Sequence, residues 1–154
     1  MKILISYFYN VRFFKPYQIP MSTAVWDPKW YHNGLGNNEV FVDSNGVLNG
    51  LRVEELNPKR CNACGCPCAE KTYENCWFLR SYRKGLRNVN FKQLYEKLDL
   101  IATGWKNTLG FLEEPEIILL VYETPINPCS ERRPLMEWFA ENGVDVREWR
   151  KLSD

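Results

Sequence analysis

The stretch Glu116-Ile-Ile-Leu-Leu-Val-Tyr-Glu123 constrains this chain more than any other. Five apolar residues in a row, Ile117 to Val121, stand between glutamates. An unbroken apolar run of that length, with three β-branched members, reads as a strand buried on both faces, which needs a covering layer on each side of its sheet. A loop, Thr124 to Ser130, comes next. Glu131 to Asn142 then has a helical pattern, with Leu135, Trp138 and Phe139 on one side. Pro134 is tolerated only in a first helical turn, so the helix starts near Ser130 to Arg133. Gly143 ends it, and Val144 to Trp149 reads as a last strand. Strand, helix and strand in succession imply a sheet that is parallel in part and flanked by helices. The expected fold is therefore α/β and Rossmann-like, a single domain over residues 1–154, with a small zinc-knuckle insertion over 57–78.

That insertion is the second strong signal. Five of the six cysteines, Cys61, Cys64, Cys66, Cys68 and Cys76, fall within sixteen residues. Small residues separate the first four, and Gly65 and Pro67 favour a tight knuckle on which thiols converge. Structural zinc takes four such ligands, often in closely spaced cysteine pairs. Cys61, Cys68 and Cys76 are expected ligands, with Cys64 or Cys66 as the fourth. An iron–sulfur cluster also uses four thiolates, but the spacing departs from the ferredoxin run. Zinc is the expected cofactor.

The remaining chain supplies partners for these elements. Lys2 to Ser6 reads as a first strand, and the aromatic run Tyr7 to Phe14 either continues it or becomes a loop. Residues 15–38, broken by Pro16, Pro20, Pro28, Gly34 and Gly36, read as a long aromatic loop, either packed over the core or part of a binding site. His32, the only histidine, lies in it. Val40 to Asp43 and Val47 to Val53 read as extended segments joined by an Asn45-Gly46 turn. Tyr73 to Leu86 reads as a helix that opens near Cys76, with Arg80, Arg83, Lys84 and Arg87 making it basic. The clearest helix is Phe91 to Leu109, with an apolar stripe at helical spacing, Asn90 as its cap and Gly110 as its stop.

Charge and length exclude some functions. The net charge is only +1, so no broad basic surface for nucleic acid is implied, although a local patch is compatible. No apolar run reaches the length of a membrane span. The opening Met1-Lys-Ile-Leu-Ile-Ser turns polar too early for a secretion signal, so the cytoplasm is the expected location, where crowded cysteines hold metal more often than disulfides.

In open α/β sheets, ligands bind beyond the carboxyl ends of the strands. Here that place is the loop Cys129-Ser130-Glu131-Arg132-Arg133. Amides at a helix start attract anions, and Arg132 would add a bidentate grip on phosphate. Expected ligand-binding residues are Arg12, Ser130 and Arg132. Cys129 as a thiolate, with Glu123 and Glu131 as proton carriers, form the catalytic candidates. Asp27 and Asp43 are outside candidates. The alternative for this loop is a capped helix with an inert cysteine and an ion pair.

Val121-Tyr122-Glu123, then Cys129 and Arg132, then Leu135 to Gly143 and the strand after it, resemble the DUF488 family of small bacterial and phage proteins, as do Ser6-Tyr7 and Arg12. The family's usual Cys-His-Arg triplet is replaced here by Cys129-Ser-Glu-Arg132, and the cysteine knuckle looks like an insertion. The resemblance implies a compact α/β domain and no established reaction. The functional expectation is a zinc-stabilised protein that binds an anionic small molecule, a nucleotide, or nucleic-acid phosphate around Cys129 to Arg132 and that is open to catalysis. A protein or nucleic-acid interaction module using the knuckle and the basic helix 77–87 is the alternative, and an iron–sulfur redox protein a third.

Overall fold

The computed structural model describes residues 1–32, 51–58, 73–127 and 130–151. Among these, five strands form one sheet: β1 (Lys2–Tyr7), β2 (Gln18–Ser22), β3 (Leu51–Arg52), β4 (Glu116–Val121) and β5 (Arg147–Glu148). Their order is β3-β2-β4-β1-β5, and every ladder is parallel, where the sequence implied only a partly parallel sheet. The helices are α1 (Lys29–His32), α2 (Trp77–Gly85), α3 (Phe91–Leu109) and α4 (Arg132–Glu141).

β4 lies in the middle of the sheet, as its apolar run demands. Its side chains alternate between two cores. Ile117, Leu119 and Val121 join Ile3, Ile5, Ile19 and Met21 on one face, beneath Tyr82 and Leu86, Leu94 and Leu98 of α3, and Leu135 and Phe139 of α4. Ile118 and Leu120 face the other way, toward Phe8, Val11, Phe14, Tyr31 and Trp149. Helices thus cover the first face. The second is covered, among the described residues, by the 3-10 segment Phe8–Phe13, by α1 and by Trp149.

The sequence did not reveal β2. Pro16 and Pro20 argue against a strand, yet Gln18 to Ser22 pairs with five residues of β4 and is wholly buried. Pro20 is accommodated because β3 pairs only with Met21 and Ser22, so it lies just before that ladder begins. The aromatic run after β1 becomes the 3-10 segment rather than more strand. The last strand shrinks from Val144–Trp149 to two residues, and it pairs with β1, not with β4. The helix expected from Tyr73 begins as a 3-10 turn, with α2 proper starting at Trp77. α3 has the expected bounds, with Asn90 accepting from Gln93 N at 3.1 Å and Gly110 left-handed at φ 73°. The Asn45-Gly46 turn and Asp43 lie outside the described residues, as does the knuckle from Cys61 to Cys68.

The topology fixes one special place. After β1 the chain crosses the second face, through Phe8 and Val11; after β4 it crosses the first, through α4. β1 and β4 are neighbours, so their connections leave in opposite directions and open a crevice between their carboxyl ends. Such a switch point is where parallel sheets bind ligands.

Candidate functional site at the carboxyl edge of the sheet

The loop from β4 into α4 crosses this edge. Leu135, Trp138 and Phe139 set the inward face of α4, and Arg132 lies on the same face, three and seven residues before Leu135 and Phe139. Its guanidinium is therefore directed inward, and the residue is only 7% exposed. Nε and Nη2 donate to the two carboxylate oxygens of Glu148 on β5, at 2.5 and 3.3 Å. Nη1 donates to Glu123 O at 3.0 Å and to Ser130 Oγ at 3.2 Å. The arginine expected to grip a ligand is thus already engaged with the protein. Arg132 is engaged in this way because β5 pairs with β1 and brings Glu148 to the head of α4.

Ser130 is buried, and its oxygen also accepts from Arg132 N at 3.1 Å. Arg133, one residue further along the helix, points outward. Its guanidinium stacks over the Tyr73 ring at 4.7 Å and pairs with Glu74 at 3.0 Å. Both side chains of that pair are about 60% exposed (59% and 62%), so the pair contributes little and is easily exchanged for another anion. Tyr73, Pro125, Asn127, Ser130, Arg132 and Arg133 line a pocket of about 130 Å³. Arg133 is not among the ligand-binding residues expected from the sequence. The inward stripe of α4 held the signal, because it turns Arg132 into the protein and its neighbour out of it.

Behind the loop lies a pair of carboxyl groups. Burial, then the charge of Glu123 and a hydrogen bond with it, raise Glu131 from an ordinary 4.5 to about 8. Glu123 Oε1 is enclosed and has no hydrogen-bond partner among the described residues. At neutral pH the pair therefore keeps a proton on Glu131, the state a general acid requires. Burial also raises Glu148, outweighing the opposing pull of Arg132.

The other expected residues are dispersed. Arg12 does not join this loop: its Nε donates to Tyr9 O at 3.1 Å, its guanidinium covers the Tyr9 ring, and it lines a separate cleft. Asp27 has a fully buried side chain. It accepts from Ser22 Oγ and pairs with Arg52 Nη1 at 2.6 Å, tying the end of β2 to the end of β3. Tyr31 adds to that tie with its hydroxyl 2.7 Å from Leu51 O, so within the aromatic loop Tyr31 packs in the core while Trp26 and Trp30 are exposed. His32 ends α1, and its side chain lies outside the described residues, as does Cys129.

Of the five expected metal ligands, Cys76 alone is described. It is buried, 2% exposed, and immediately precedes α2 without capping it. Cys61, Cys64, Cys66 and Cys68 lie outside the described residues, among which no group of three or more potential ligands is placed to hold a metal. In the basic helix, Arg83 is paired with Glu141 of α4, while Arg80, Lys84 and Arg87 are exposed.

Compared with protein-family models, curated proteins and solved structures, the chain has no significant match. Among the described residues, no helix is long and apolar enough to cross a membrane.

Proposed function

We propose that the protein binds a small phosphate-bearing anion at the loop between β4 and α4, in a domain stiffened by zinc on its cysteine segment. The observation that carries this reading is Arg133, whose exchangeable pair with Glu74 opens onto a pocket at the carboxyl edge of a parallel sheet. A pocket of that size takes a phosphate group and leaves the rest of a larger ligand outside it. Arg132 positions the loop by fixing Ser130 and the Glu123 carbonyl. Among the described residues Ser130 only accepts, from Arg132, which leaves its O–H to donate. Glu131, which keeps a proton behind the loop, does not line this pocket, so the reading is one of binding and gives that proton no step.

The zinc belongs to the same proposal. Cys76 suits a structural ligand, being a buried thiol at the head of a helix, and Cys61, Cys64, Cys66 and Cys68 would supply the other three positions. Bound there, the metal would contribute folding energy and no step of the chemistry. The resemblance to the DUF488 family is part of this reading as far as the α/β fold extends.

Titration calorimetry of the full, metal-analysed chain with inorganic phosphate and a nucleoside monophosphate tests it. Arg133→Ala should weaken both ligands about tenfold, the scale of one charge-assisted contact. Arg80→Ala with Lys84→Ala should leave them unchanged. Unaltered affinity in Arg133→Ala would reject the site. A partner lost only in the α2 variants would instead favour an interaction module.

A further inference from the structure

The sheet carries a second, larger recess. Two segments distant in sequence meet where Phe14 packs against Trp149, with ring centroids 5.1 Å apart, and Trp149 N donates to Ile5 O. Between them opens a cleft of about 360 Å³. Four cationic side chains line it: Arg12, Lys15, Arg150 and Lys151.

None of the four makes an ion pair with a carboxylate among the described residues. Elsewhere Arg52, Arg83, Lys97, Arg132, Arg133 and Arg147 are paired, while Lys2, Lys29, Arg80, Lys84, Arg87 and Lys92 make no ion pair among the described residues either; what sets the four apart is that they line one recess. The aromatic wall holds two of the cleft's cations in place. Arg12 rests on Tyr9 at 4.1 Å and Lys151 on Phe13 at 4.0 Å. Three carboxylates approach without an ion pair to its cations. Glu116 accepts from Gln18 Nε2 at 3.0 Å, Glu113 together with Glu116 acts on Tyr17, and Glu148, which feels the charge of Arg150, is hydrogen-bonded to Arg132. Four like charges in one recess repel each other in the free protein, and an anion of high charge density relieves that repulsion. The cleft's volume falls within the range of small-molecule sites.

We infer that this cleft, formed by residues 12–18 and 149–151, is a binding site for a small polyphosphate, either inorganic or carried by a nucleotide. The four cations meet several phosphate charges together, which a lone surface lysine cannot do. It is separate from the pocket at Arg133, so the two sites fail independently.

The test is titration calorimetry of the full chain at low salt with inorganic tripolyphosphate and with a nucleoside triphosphate. Lys15→Glu and Arg150→Glu are suitable variants because both side chains are exposed and make no ion pair among the described residues. The expected result is binding of both probes, weakened at least tenfold by each reversal, weakened again by added salt and unchanged by Arg133→Ala. Tighter binding of the nucleotide would assign the source to a nucleotide whose base meets the aromatic wall. Equal binding would assign it to the phosphates alone. Failure of both probes to bind, affinity unmoved by the reversals, or binding confined to oligonucleotides would overturn the inference.

Discussion

Arg132 joins three parts of the fold through one planar group: the β4 end at Glu123 O, the loop at Ser130, and β5 at Glu148. Removing it strands a carboxylate that is already partly withdrawn from water. Arg132→Ala should therefore cost roughly 3–5 kcal/mol in urea unfolding, the range for breaking a buried pair by deleting one partner. Arg147→Ala, which breaks an exposed pair with Asp145, should stay within about 0.5 kcal/mol. Equal losses in the two variants would refute the positioning role. The sequence located Glu123, Ser130, Glu131 and Arg132 because a strand end, a loop and a helix start are local patterns. It could not supply Glu148, which lies sixteen residues on and reaches the loop only through the β1–β5 pairing. The role given to Arg132 changed for that reason, and the outward task passed to Arg133.

At the scale of elements, α3 and β2 mark the two limits of what the sequence discloses. α3 is written in local chemistry. Leu94, Leu98 and Ala102 face the core, Asn90 caps the first turn, and Gly110 ends the helix in the left-handed region. Asn90→Ala should cost about 1 kcal/mol and Asn90→Asp close to nothing, measured by thermal unfolding. A cost for the aspartate as large as for the alanine would mean that the side-chain oxygen is not the stabilising group. β2 is written in tertiary contacts instead. Gln18, Pro20 and Ser22 alternate with Ile19 and Met21, and a proline at the centre has low strand preference. What makes the segment a strand is its place between β4 and β3, with Thr23 N also donating to Leu120 O. Propensity summed along the chain does not contain that information.

At the scale of the whole molecule, the all-parallel order brings the carboxyl ends of every described strand to one edge and places Glu131 beneath the β4–α4 loop. Burial there makes stability depend on pH. In the unfolded chain Glu131 loses its proton near 4.5, whereas in the folded protein it keeps it to about 8. Between those values the folded state binds more protons, so its stability falls as pH rises. The contribution is complete below 4.5 and gone above about 8. Glu148, also raised by burial, acts in the same direction. Glu74, Glu114 and Glu141 are lowered by their hydrogen bonds and cationic partners, so their contribution is lost as pH falls through their folded values, below the window of Glu131. Calorimetric melting should show Tm decreasing from about pH 5 to about pH 8. Glu131→Gln, which mimics the protonated acid, should flatten most of that descent and leave a smaller slope from Glu148. A level wild-type profile, or a variant that retains the full slope, would show that the carboxyl pair does not hold its proton. Phosphate binding at Arg133 would be unaffected, because neither carboxyl group of the pair lines that pocket.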